Sequence, residues 1–175
     1  VESALDQILT SEGTGEVHIA APGPYCSVFV LPALRRLREP YPEIVPHLTS
    51  KSSPVCEKLL AEGGLDIAIV DHVTTSAHDK SMRVTKLGDL TYSIYSGLDH
   101  PLAAMLEVTV EDVLQHPFVG PPQHLVDHWP PDMTRKMGMI VEQLHVGVQA
   151  CALDGMLAVL PDVVAASYRG EGELV

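Results

Sequence analysis

The chain has 175 residues, 46% of them hydrophobic and 19% charged, which suits one globular unit or two small lobes sharing a hinge. A net charge of −12, with 11 scattered basic residues, argues against a nucleic-acid surface built from these residues alone. No apolar run reaches the roughly 18–20 residues that span a bilayer, and the opening VESALDQILTSEG lacks the pattern of a signal peptide.

In chain order, GEVHIAA alternates Val17, Ile19 and Ala21 with Glu16, His18 and Ala20, which predicts a strand near one sheet edge or a lobe rim. A loop, PGPYCS, leads into VFVLPALRRLRE. Its apolar residues Val28, Leu31, Leu34 and Leu37 predict a helix, Pro32 is tolerated in a first turn, and Glu39-Pro40 ends it. The basic cluster Arg35, Arg36 and Arg38 reads as the solvated side of that helix. EIVPHL predicts a second strand, with Pro46 pointing to a sheet edge or an early end. Ser53 ahead of Pro54 predicts a helix start with the Ser53 hydroxyl as its cap, and Gly63-Gly64 a left-handed stop. LDIAIV is nearly continuous in its hydrophobicity, as expected of a buried parallel strand. Residues 16–70 thus read β-α-β-α-β with right-handed crossovers.

DHVTTSAHDKS reads as a loop and DLTYSIY as another strand. In TVEDVLQH, Thr109 and Asp112 have capping-box spacing. PFVG is a brief strand, PPQHLVDHWPPDM is proline-rich and irregular, and LHVGVQACALDG is a helix with Leu144, Val148, Cys151 and Ala152 on one side. MLAVLP is a buried strand ended by Pro161.

Chemistry-bearing patterns are few. Cys26, Cys56 and Cys151 are far apart and odd in number, which fits free thiols in a reducing compartment and no cysteine zinc site. His124 and His128 lie four apart beside Asp127, but Pro121-Pro122 and Pro130-Pro131 bracket them and no third ligand has a fitting spacing. No metal or other cofactor is expected. Nucleophile-elbow, phosphate-loop and H-E-x-x-H patterns are missing, and Cys26 has no assignable histidine partner, so the expectation is a non-enzyme.

The series HIAAP, LPALRRLREPYPEI, LLAEGGLDIAIV, GLDHPLA, VEDVLQHPFVG and ALDGMLAVLP, in this order, resembles the effector-binding domain of LysR-type transcriptional regulators over residues 16–161. The resemblance implies an α/β, two-lobed fold of the type 2 periplasmic-binding-protein kind, with two Rossmann-like lobes joined by two crossing strands. Residues 1–13 would end a linker helix, 14–95 with 161–175 would form lobe I, and 96–160 lobe II. SGLDHPLA would be the exit from lobe I, and the second crossing strand would lie near MIVEQL. The N-terminal DNA-binding domain of the family would be absent from this chain.

The resemblance also implies where an effector would bind. The loop Pro24, Tyr25, Cys26 and Ser27 matches the family's first ligand loop, with Tyr25 standing where many members carry serine or threonine. Ser52 and Ser53 match the start of the helix ahead of LLAEGG; Gly120, Pro121 and Pro122 match a lobe II turn offering backbone groups. Helix N-termini there favour a small carboxylate or another anion. The expected function is effector binding and oligomerisation, as a homodimer or tetramer, in a cytoplasmic regulator that meets DNA only through its missing domain and has no membrane partner. The first helix, residues 29–38, is the expected dimer element. A stand-alone solute-binding protein of a transporter is the alternative.

Overall fold

A computed structural model describes residues 15–73, 82–170 and 172–175. The expected linker-helix end, residues 1–13, and most of the loop after Val73 lie outside the described residues. The chain divides into two compact units, Val1–Asp89 and Leu90–Val175.

In the first unit, β1 (Gly15–Ala21), β2 (Ile44–Ser50) and β3 (Ile67–Ala68) form a parallel sheet of order β2-β1-β3. β1 is thus the central strand and not the edge strand its alternation suggested, because both neighbours find ladder partners on it. β2 is an edge strand, as Pro46 requires, since proline cannot donate to a ladder on both sides. Between β1 and β2 the chain winds through α1 (Gly23–Tyr25), a π segment (Cys26–Val30) and α2 (Leu31–Leu37). The π segment corrects the expected apolar stripe. Its wider turn, closed by the Leu31 N–H on the Cys26 carbonyl, inserts one residue and rotates the helical turns after it. Val30, Leu34 and Leu37 are therefore buried, whereas Leu31 is 52% exposed. Arg35, Arg36 and Arg38 lie on the exposed side, as expected.

α3 (Ser53–Ala61) starts one residue earlier than the Ser53 cap implied. Ser52 is the N-cap and makes no side-chain capping bond, Ser53 is the first helical residue, and Pro54 the second. At the other end Gly63, at φ 73°, reverses the chain as expected. The Gly64 N–H bonds the Leu59 carbonyl at 2.8 Å and the Gly63 N–H that of Leu60 at 3.1 Å, a Schellman stop. Val17, Ile19, Val30, Leu34, Ile44, Cys56 and Ile69 are buried in this unit. Each fully buried branched side chain contributes about 1.5–3 kcal/mol of transfer free energy.

The second unit holds a four-stranded sheet of order β4-β7-β5-β6, from β4 (Tyr92–Tyr95), β5 (Phe118–Gly120), β6 (Met137–Ile140) and β7 (Leu157–Pro161). β4 runs antiparallel to β7, whereas β5 runs parallel to both β6 and β7. The structure differs from one expectation here. The resemblance puts residues 92–95 and 161–175 with the first lobe, but Tyr92 pairs with Pro161 and Tyr95 with Ala158 inside this sheet. Of MIVEQL, Met139 and Ile140 lie in β6, the ladder partner of β5. Local pattern shows a strand but not which sheet accepts it.

SGLDHPLA is likewise an internal turn of the second unit. The Ser96 N–H and carbonyl both bond Val175, each at 3.0 Å, and Gly97 bridges Leu174. A Cβ at Gly97 would meet the Ala152 carbonyl oxygen at 2.5 Å, so only glycine permits this approach. His100 caps the 3-10 turn Pro101–Ala104, its Nδ1 accepting the Leu102 N–H at 3.2 Å.

One sheet face packs on α5 (Leu144–Leu153) and α6 (Asp162–Gly170) through Val119, Val148, Cys151, Ala158, Leu160 and Ala165. The other carries Leu102, Val113, Phe118 and Leu157, with Trp129 and Val159 against them. α4 (Val110–Leu114) begins with the expected capping box: Thr109 Oγ1 accepts the Asp112 N–H, and Asp112 accepts the Thr109 N–H at 3.0 Å. Among the described residues, no helix is long and apolar enough to cross a membrane.

Candidate functional site

In an open parallel sheet of order 2-1-3, loops leave the first and third strands in opposite directions, so a crevice opens at their carboxyl ends. In the first unit that end collects the turn after β1, the start of α3 and the residues after β3. Sequence reading singled out the first two and passed over the third.

In the turn after β1, Tyr25 is buried with its ring 5.6 Å from Phe29, Pro24 and Cys26 are half-buried, and Ser27 is exposed. The Cys26 thiol points back to the Ala21 carbonyl at 3.5 Å. Burial raises its pKa, so it lacks the thiolate character of a nucleophile. Cys56, at the base of α3, is fully buried and its thiol is pushed up to about 11, chiefly by desolvation.

Ser53 is 4% exposed and donates from Oγ to Asp71 Oδ1 at 2.7 Å. The same oxygen lies 2.6 Å from His72 Nδ1. The imidazole Nε2 is buried and has no hydrogen-bond partner among the described residues. This Ser53–Asp71–His72 network joins the helix start to the end of β3. Because Ser52 leaves the first turn of α3 without a side-chain cap, its N–H groups add a positive dipole end beside the network. Asp71 and His72 were missed because DH opens a polar stretch, and only the β3 position shows that they face Ser53. The order of contacts also limits the chemistry. Ser53 gives its proton to a carboxylate, not to an imidazole base, so the arrangement lacks the order of contacts of a nucleophilic triad.

The second-unit residues sit at the carboxyl end of β5. Gly120 accepts the Val141 N–H at 2.9 Å, and Pro122 accepts the Leu125 N–H at 3.0 Å. A Cβ on Gly120 would lie 2.9 Å from Arg135 Nη2, which explains the glycine. Arg135, which sequence reading missed, has a side chain 5% exposed, pairs with Asp127, and lies 5.0 Å from both the Phe118 and the Trp129 ring centroids. The turn is thus held by a buried cation clamped between aromatics.

The second unit also contains a cavity of about 680 Å³, lined by Tyr92, Ile94, Leu102, Val113, Trp129 and Val159 among others. It carries no Asp, Glu, Lys or Arg in its lining and does not include Gly120, Pro121 or Pro122. Its origin is local. The β5-to-β6 crossover is irregular where parallel strands are usually joined by a helix, because Pro121-Pro122 and Pro130-Pro131 deny one. His124 and His128 accordingly share no helix, and the His128 ring stacks on Tyr92 at 3.7 Å.

Residues 10–175 match the family described as the LysR substrate binding domain. Among solved structures, the regulatory domain of CrgA, a LysR-type transcriptional regulator from Neisseria meningitidis, is similar at 18% identity and TM-score 0.72, over 93% of this chain and 80% of that one. The effector domain of the transcriptional regulator AmpR of Pseudomonas aeruginosa gives 19% and 0.73, over 92% and 77%. The effector binding domain of QuiR, solved in complex with shikimate, gives 13% and 0.73, over 92% and 78%. At such identities the structural likeness carries the fold alone, and it is the periplasmic-binding-protein type expected from the sequence. No curated protein matches the sequence.

Proposed function

This chain belongs to the LysR substrate binding domain family, the effector-binding module of LysR-type transcriptional regulators, and from that membership we propose that it senses a small molecule at the carboxyl ends of β1, β2 and β3. The family is one of regulators rather than enzymes, which favours this reading over a transporter's solute-binding protein. The observation that carries the site is the Ser53–Asp71–His72 network, with the buried Nε2 of His72 unpartnered among the described residues.

The chemistry of the network narrows the effector. The uncapped start of α3 suits a carboxylate, whereas Asp71 repels one and accepts from a donor. A hydroxylated carboxylate satisfies both, its acid toward the N–H groups of α3 and a hydroxyl toward Asp71 or His72. The shikimate bound by QuiR belongs to that class. Pro24, Cys26 and Ser27 border the site from the turn after β1, Ser52 and Ser53 from the helix start, and Tyr25 supports it from below. Gly120, Pro121 and Pro122 offer backbone groups at the carboxyl end of β5, within the second unit.

Binding acts by differential affinity for two states of the domain, which shifts the placement of DNA-binding domains in a cytoplasmic homodimer or tetramer. The exposed side of α2, with Leu31 at 52%, is the dimer element, and sedimentation showing a strict monomer at high concentration would count against it. No turnover is involved. Calorimetric titration with hydroxy acids and their deoxy analogues tests the site. Ser53→Ala and Asp71→Asn should each weaken the preferred hydroxy acid about tenfold, a loss of roughly 1.4 kcal/mol. Unchanged affinity in both folded variants would remove the network from the site.

A further inference from the structure

We propose that Glu16, His18 and His47, at the amino-terminal half of β1 and β2, form a binding site for a divalent transition-metal ion of the zinc type. The site lies at the opposite end of the strands from the effector network and does not depend on that reading.

Strand geometry assembles it. Side chains two apart on a strand share a face, so Glu16 and His18 project together from β1. The parallel register sets His47 of β2 directly beside His18, and the two rings stack with centroids 4.7 Å apart and planes 19° apart. Glu16 Oε2 lies 3.4 Å from His47 Nε2 and 4.0 Å from His18 Nε2. One donor atom from each residue falls within 4.8 Å of the others. Zinc bonds of about 2.0–2.2 Å place tetrahedral ligands about 3.3–3.6 Å apart. One pair already has that spacing, and the longer ones close with small side-chain rotations.

The second nitrogen of His18 is oriented too. Asp66 Oδ2 accepts the His18 backbone N–H at 2.8 Å and lies 3.7 Å from His18 Nδ1. At 3.7 Å this carboxylate is no hydrogen-bond partner of Nδ1, but its charge faces that nitrogen and favours a proton there, with Nε2 on the Glu16 side. The three side chains are between 45% and 62% exposed, so an ion can enter and keep water in its remaining position. Two imidazoles and one carboxylate select a borderline ion such as Zn²⁺ over Mg²⁺ or Ca²⁺, which prefer oxygen ligands.

Calorimetric titration of the folded 175-residue chain with zinc chloride, in a non-chelating buffer, tests this. The expected result is one saturable site at these residues and a rise in thermal midpoint with zinc but not with magnesium, since an ion bound only by the folded state stabilises it. His18→Gln and His47→Gln should each weaken binding at least tenfold, and Asp66→Asn, which touches no metal, about tenfold. Glu16→Gln, a one-atom change, serves if a histidine variant loses its circular-dichroism spectrum. Cobalt should give an absorption spectrum of nitrogen and oxygen ligands only. Thiolate charge-transfer bands would place the ion on a cysteine and overturn the proposal, as would zinc affinity unchanged in a folded His18→Gln/His47→Gln double variant.

Discussion

The two units share the same vocabulary of strands and helices, and each buries polar nitrogens without a partner among the described residues, but among different neighbours. In the first unit the carboxyl ends of the strands keep a network open. Ser53, Asp71 and His72 bond one another and leave Nε2 buried without a partner among the described residues. In the second, His100 Nε2 and Arg135 Nη1 are also buried without a partner among the described residues, but the rest of each group is engaged inside the fold. Arg135 is clamped between Phe118 and Trp129, His100 caps a turn, and Asp162 accepts from Thr91 and Tyr95. What the second unit leaves open is apolar, a cavity beneath a proline-rich crossover. The contrast lies in what surrounds these groups: polar neighbours at the strand ends of the first unit, aromatic rings and an apolar cavity in the second.

The sharpest way to break that contrast is Phe118→Ala. Phe118 is fully buried and carries Arg135 and Trp129, so its loss should destabilise the second unit by about 3–5 kcal/mol in urea unfolding. Trp129, the single tryptophan, reports that transition by fluorescence. A cost below about 1 kcal/mol would mean that the clamp is not what organises this face.

Thr109→Ala removes the cap of α4, next to the cavity, and should cost about 1 kcal/mol by the same measurement. A smaller effect still is expected from pH. Burial of His100, and then the neighbouring His116, hold its pKa below the ordinary 6.5. The neutral ring therefore contributes stability that is fully present above 6.5 and is lost as pH falls through the lowered folded value. His100→Asn should flatten that part of the stability profile, and an unchanged slope would refute the assignment. Asp162 works at lower pH. Bonds from Thr91 first, and then Ser93 and Tyr95, lower its pKa, so its contribution is present above 3.8 and is lost as acid protonates it in the fold. Asp162→Asn should reduce the acid sensitivity of thermal unfolding below pH 4.

Much of the fold was legible because it rests on local rules. Alternation marked β1, the glycine pair stopped α3, Thr109 and Asp112 formed their box, and Pro46 sent β2 to an edge. The ordered motifs were enough to identify the family. The candidate site was legible only in part: Ser53 was singled out as a cap and as an effector contact, but not the bond of its hydroxyl to Asp71 across 18 residues of sequence.

Sequence alone settled most of the elements, because caps, turns and periodicity act over a few residues and need no distant partner. Three features came only with the folded chain: residues 92–95 join the second sheet, a π turn moves Leu31 to the surface, and His47 stands beside His18. The reason is common to all three. Ladder partners, register and helix phase are chosen by which surfaces can be buried together, and that choice depends on residues far apart in the chain.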